Sequence, residues 1–132
     1  MIFAHRIKTR SRREFVEITE QVGADITAAG VEEGICLVFV THTTAAVTIN
    51  ENADPTVPRD ILDKLARLVP AHDGYRHLEG NSDAHIQSSL LGVSLTLPIV
   101  QGRPLMGTWQ GIFLVELDGP RTRTFQVKVL AG

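Results

Sequence analysis

The sequence predicts an α+β fold with antiparallel or mixed sheets and two to three helices, and three observations carry that prediction. Segments rich in β-formers open the chain, helical periodicity fills its middle, and everything from Val93 onward reads as strands separated by Gly and Pro turns. A parallel doubly wound sheet would need strand and helix to alternate throughout. At 132 residues the chain fits one domain spanning 1–132, large enough to bury a core without disulfides. With 43% apolar and 21% charged residues, neither wholesale disorder nor a membrane-embedded chain is expected.

Taken in order, Ile2 to Thr9 and Glu14 to Ile18 cluster β-formers on either side of Ser11-Arg12-Arg13, which predicts an opening antiparallel hairpin. Thr19 can cap a helix over Thr19 to Ala29, with Val22, Ile26 and Ala29 at helical spacing and Gly30 as its stop. Gly34 begins ICLVFVTHTTAAVTIN, one bent strand or two in succession, whose apolar run through Val40 predicts burial on both faces. Val57, Ile61, Leu62, Leu65, Leu68 and Val69 follow the spacing of an amphipathic helix between Asp54 and Pro70, with Pro58 tolerated in its first turn. A loop from Ala71 to Ser82 leads to a short helix from about Asp83 to Leu91, ended by Gly92. Strands are then expected over Val93 to Val100, Leu105 to Glu116 and Thr122 to Leu130, and Phe125, Val127 and Val129 alternate with polar residues in the last.

Charge and cysteine usage exclude several functions. A net charge of −2 argues against a general nucleic-acid or anionic-membrane partner. No apolar run approaches the roughly 20 residues that span a bilayer. Charges at Arg6, Lys8 and Arg10 interrupt any early apolar stretch, so no signal peptide is expected and the cytoplasm is the default compartment. The lone Cys36 lies in an apolar run and reads as a buried small hydrophobe.

Chemistry concentrates in YRHLEGNSDAHIQSSLLG, Tyr75 to Gly92. His42, His77 and His85 sit among other polar residues and could ligate a metal or move protons, since imidazole does both near neutrality. They could equally be packing or capping residues bonded to backbone. Asn81, Ser82 and Asp83 are good helix-capping types, and the same helix start, with Ser88 and Ser89 nearby, could hold a phosphate. Glu51, Asn52 and Asp54 form a second polar cluster that resembles capping chemistry or offers a base. In GTWQG, Trp109 is expected in the core, while Gln110 between glycines marks a place where a ligand could approach the sheet.

HTTAAVTINENADP, YRHLEGNSDAHIQSSLLG, SLTLPIVQGRPLMGTWQGI and ELDGPRTR, taken together, resemble the YjbQ family over Thr41 to Arg123. The resemblance implies a β-sandwich of complex topology assembled as a homotrimer. It also implies weak thiamine-phosphate synthase activity, which joins hydroxymethylpyrimidine diphosphate to thiazole phosphate and releases pyrophosphate. A divalent metal, zinc or magnesium, would accompany such a reaction. The matching motifs point to His42, Glu51, Asp54, His77, Asn81, Asp83, His85, Ser88 and Gln110 as pocket residues. On chemical grounds His42, His77 and His85 are expected to form a metal or anion centre. Glu51, Asp83 and His85 are the expected catalytic groups, and Asp54, Asn81, Ser88 and Gln110 the substrate-binding ones. Where the family often carries a basic residue this chain has Gln87, which weakens the case for phosphate there. The alternatives are a non-catalytic metal- or phospholigand-binding trimer, and a plain structural domain.

Overall fold

In a computed structural model describing residues 1–132, the chain forms eight strands and three helices. Strands β1 (Ile2–Lys8), β8 (Thr122–Ala131), β3 (Glu33–Val40), β5 (Ser94–Val100) and β6 (Arg103–Pro104) make a five-stranded sheet in that order. Strands β2 (Glu14–Glu17), β7 (Gln110–Glu116) and β4 (Ala45–Glu51) make a three-stranded one. Every pairing is antiparallel. The α+β expectation holds, and the choice between antiparallel and mixed sheets resolves to antiparallel.

The sheets face one another across one core. Cys36, Val38, Val40, Leu97, Ile99, Phe125, Val127 and Val129 from the large sheet meet Ala45, Val47, Ile112 and Leu114 from the small one. Helix α1 (Thr19–Ala29) closes one side with Val22 and Ile26, joined by Ile18 just before it. A second cluster of Ala46, Ala84, Val115 and Leu117 lies on the other face of the small sheet, under α2 (Thr56–Leu68) and α3 (Ser82–Leu91). Sheet β2-β7-β4 is therefore covered on both faces, and Gly111 to Asp118 are buried without interruption. The large sheet is covered on one face only. In β3 Cys36, Val38 and Val40 point inward, while Ile35, Leu37 and Phe39 stay 37–45% exposed, so burial on both faces is not what ICLVFV has. The strand buried on both faces is β7. No helix is long and apolar enough to cross a membrane.

Three further expectations change. The opening segments form no hairpin, because β1 pairs with β8 and β2 with β7, in different sheets. Locality favours a hairpin, but β7 and β8 diverge into separate sheets and each leaves an edge for one N-terminal strand. Thr19 is the first helical residue of α1, not its cap: its hydroxyl accepts the Ile112 N–H at 2.9 Å and donates to Glu17 at 2.8 Å, tying helix to strand. Residues 105–109 do not extend β7, since the chain must leave the large sheet and enter the small one there. It does so through a turn in which the Gly107 N–H donates to Gln110 Oε1 at 2.7 Å, leaving Trp109 63% exposed and outside the core.

The segment ICLVFVTHTTAAVTIN is two strands, one in each sheet, and the HTT patch is the crossing between them. Gly30 and Gly92 end α1 and α3 at φ 68° and 95°, a region where a side chain is disfavoured. Helix α3 lies along β4 through Ala84 and Ala46, whose small side chains permit close approach. Gln87 is fully buried on α3, and its amide donates to the carbonyls of Leu65 and Val69 at 3.2 and 3.1 Å, satisfying the end of α2. Its lack of charge therefore bears on helix docking and not on phosphate binding.

Candidate functional site

A buried ion pair holds the crossing segment in place. Arg123 and Glu116 are 2% and 0% exposed, and Arg123 Nε donates to both Glu116 oxygens at 2.9 and 3.0 Å. Arg123 Nη2 also donates to Glu116, and to the Thr44 carbonyl and hydroxyl at 3.0 and 2.9 Å. Glu116 further accepts the Thr9 hydroxyl at 2.7 Å and the N–H groups of Leu117 and Asp118 at 3.0 Å. Burial alone would push the Glu116 carboxyl up. Donors from Arg123, Thr9 and Asp118, with the Arg123 charge, outweigh it and hold the group below its ordinary value.

Thr44 so anchored presents His42, whose Nε2 accepts the Thr124 N–H at 2.8 Å. A ring nitrogen that accepts from an amide carries no proton, so the neutral ring holds its hydrogen on Nδ1. Burial and the Arg123 charge lower the His42 pKa, with Glu116 opposing them, which favours that neutral form. His42 is thus a donor through Nδ1–H, and its single acceptor lone pair, on Nε2, is occupied.

Across from it, His85, Ser88 and Ser89 share one face of α3 by their i, i+3, i+4 spacing. With Thr43, Gly92 and Val93 they enclose, opposite His42, an open cleft of ≈ 550 Å³. Ser88 is spoken for, because its hydroxyl donates to the Ala45 carbonyl at 2.7 Å, and the Ser89 hydroxyl donates to the His85 carbonyl at 3.0 Å. Each oxygen keeps acceptor capacity only, unless a ligand displaces its bond. The cleft lies toward the C-terminal half of α3. The expected union of Ser88 with the helix N-terminus does not occur, since six residues, about 9 Å of helix rise, separate it from Ser82.

His77 meets His85 edge-on with ring centroids 5.4 Å apart. The three histidines do not make one centre: no three His, Cys, Asp or Glu side chains converge to hold a metal, and the Nε2 of His42 is engaged by Thr124. Within one chain these three histidines do not converge on a single point. Asp83 is wholly buried and its Oδ2 accepts from Arg13 Nη2 at 2.6 Å, so it anchors the β1–β2 link to α3 instead of meeting a ligand. Asn81 donates from Nδ2 to the Asp118 carboxylate at 2.8 Å, which Arg121 also pairs at 2.9 Å. Both act as positioning groups for the loop that carries His77.

Glu51, Asp54 and Gln110 lie elsewhere. Glu51 ends β4, six residues or about 20 Å of strand from Ala45 beside the histidine cleft, with Gln110 opposite it on β7. Glu51 and Asp54 border a separate cavity of ≈ 420 Å³ floored by Phe15 and Phe113. Asp54 there accepts the Thr56 hydroxyl and N–H at 2.7 and 2.9 Å, which lowers its pKa and starts α2. Within one chain the expected pocket is two pockets.

Sequence reasoning missed Arg123, Glu116 and Arg13. Arg123 could have been found by parity, because it shares the inward phase of Phe125, Val127 and Val129, where a charge needs a buried partner. Nothing local marks Arg13.

Comparison with known proteins matches a family model described as UPF0047 protein YjbQ-like to residues 4–132. A UPF0047 protein of Methanocaldococcus jannaschii is 53% identical over 98% of this chain and 94% of its own. The UPF0047 protein YugU of Bacillus subtilis is 44% identical, covering 98% and 99%. Among solved structures, an uncharacterised conserved protein of Clostridium acetobutylicum superposes with a TM-score of 0.96 at 46% identity, covering 97% and 99%. A YbjQ-like protein of Sulfolobus solfataricus, described as of unknown function, superposes with a TM-score of 0.96 at 36% identity, covering 100% and 97%.

Proposed function

The chain belongs to the UPF0047 YjbQ-like family, and on that premise we propose that it is an enzyme acting on phosphorylated small molecules in the cleft between His42 and His85. The named form of the reaction joins hydroxymethylpyrimidine diphosphate to thiazole phosphate with release of pyrophosphate. The observation that carries this reading is His42 locked as a neutral Nδ1–H donor on the wall of a polar cleft shared with His85 and three hydroxyl-bearing residues, Thr43, Ser88 and Ser89. Neutral donors fixed in advance stabilise charge as it develops on a leaving diphosphate without reorganising. His85, which no other side chain bonds in this cleft, is the proton-transfer group. The divalent cation, zinc or magnesium, belongs in this reading to the diphosphate and not to a histidine cage.

A homotrimer completes the proposal, with the Glu51, Asp54 and Gln110 end of one subunit brought toward the histidine cleft of the next. Support comes from Ile35, Leu37 and Phe39, exposed along the central strand of the large sheet, an apolar row that association would cover. Light scattering is expected to read three times the 14.5 kDa chain mass, and a monomer would remove this part of the reading. The cytoplasm is the compartment proposed.

Assay of the purified protein with both precursors and magnesium tests the reaction. Thiamine phosphate should form, and His85→Ala or His42→Ala should slow it by about 100-fold or more while the melting temperature stays within a few degrees. Wild-type turnover in both variants would move the chemistry out of the cleft. A second reading, a non-catalytic phospholigand-binding trimer, is favoured by one feature: no Lys or Arg lines the cleft to neutralise a leaving pyrophosphate. Tight pyrophosphate binding without product would decide for it.

A further inference from the structure

We propose that Ser82 is a nucleophile activated by His77, and that the protein transfers acyl groups from small esters at a cavity adjoining the His42 cleft. Ser82 Oγ lies 3.1 Å from His77 Nδ1, within reach for the imidazole to take its proton. On the far side of the same ring, Nε2 is 3.7 Å from Glu79 Oε1, beyond hydrogen-bond length, where the carboxylate charge favours the imidazolium that forms. The order base, carboxylate, nucleophile is compressed into His77-Leu78-Glu79-Gly80-Asn81-Ser82, and the turn at Gly80, φ 81°, folds the loop back on α3.

Charge developing on an ester carbonyl oxygen also has a donor at hand. Ser82 opens α3, so the N–H groups of Ser82 and Asp83 belong to the first turn, where the helix supplies no acceptor. No other backbone carbonyl takes them, and no side chain caps that helix end. Asp83 is wholly buried and lines no part of the cavity, so the Ser82 N–H is the donor within reach of an oxyanion there. Ser82 is 9% exposed overall yet borders a cavity of ≈ 370 Å³, whose other walls are Tyr75, Arg76, His77, His85 and Ile86. An aromatic ring, two imidazoles and an aliphatic side chain there suit a small ester with an apolar or aromatic part.

In the reaction Ser82 Oγ bonds to the ester carbonyl carbon while its proton passes to His77 Nδ1. The C–O bond to the leaving alcohol then breaks, and the alcohol departs with that proton. Water, deprotonated by the same nitrogen, attacks the acyl-serine, releases the carboxylic acid and restores the hydroxyl. A serine that merely tethers the loop would show the same distance, so reactivity discriminates. The proposal does not rest on the phosphoryl reading of the His42 cleft, and the thiamine-precursor assay neither supports nor overturns it.

The test is modification of the intact protein by an alkyl fluorophosphonate, mapped by peptide mass spectrometry, beside the release of p-nitrophenol from p-nitrophenyl acetate. One adduct per chain on Ser82 is expected, with a stoichiometric burst of p-nitrophenol. Both vanish in Ser82→Ala, fall about 100-fold in His77→Ala and several-fold in Glu79→Gln. Ser82→Cys guards against loss of fold in the alanine variant: its thiol should react with iodoacetamide while the buried Cys36 does not. An unmodified Ser82, an adduct at another residue, or labelling that is unchanged in His77→Ala would overturn the proposal.

Discussion

Arg123→Met is expected to destabilise the protein by about 3–5 kcal/mol, the cost of breaking a buried ion pair from one side. The substitution leaves the Glu116 carboxylate at 0% exposure with its hydroxyl and amide donors but no counter-charge, and it releases the Thr44 carbonyl and hydroxyl. For a chain of this size the melting temperature should fall by roughly 10–20 °C, read by circular dichroism. The double variant Arg123→Met, Glu116→Leu should recover part of the loss, since removing both charges is far cheaper than stranding one. The pH dependence follows from the direction of the Glu116 shift. A carboxyl held below its unfolded value of 4.5 contributes stability that is complete above that value and is lost as pH falls through the lower folded one. The wild type should therefore lose stability in that acid range, and the double variant should lose less. A single variant that melts with the wild type would mean that the pair does not organise the crossing segment.

Gly34→Ala is expected to cost about 3 kcal/mol for a different reason. Gly34 pairs with Ala131 across β3 and β8, and a Cβ built there lies 2.0 Å from the Leu130 carbonyl oxygen and 3.0 Å from Ala131 Cα. Both neighbours are backbone, so relief requires the strands to part, unlike a clash with the end of a flexible side chain. Gly23 supplies the contrast. It lies inside α1 with nothing within 4 Å of its Cβ position, and Gly23→Ala should stabilise by about 0.5–1 kcal/mol. Urea unfolding of the two variants separates them, and equal midpoints would show that the β3–β8 approach is looser than described.

The helices were legible in residue order because their signals are local. The bounds Thr19–Ala29 are those expected, and α2 and α3 differ by a residue or two at their ends. The alternation of β8 was likewise readable, as was the burial of Cys36. ICLVFV misled because a continuous apolar run reads the same whether its second face meets a helix layer or lies bare on one chain. Trp109 misled because size and hydrophobicity favour the core, whereas the chain changes sheets at that point.

The candidate site divides along the same line. Clustering in Tyr75 to Gly92 pointed to the histidines, and His77 and His85 do meet because a turn and one helix carry both. Asp83 has the residue type of a base, but a buried contact with Arg13, seventy positions away, makes it an anchor. Residue types and their periodicity are written locally, so α+β class, helix positions and the polar stretches could be read from order alone. Which strands share a sheet, which carboxylate is neutralised and which polar groups reach the same cleft depend on contacts between distant segments. Those contacts arise only when the two sheets close over one core, and that closure places His42 opposite His85 while leaving Glu51 at the far end of β4.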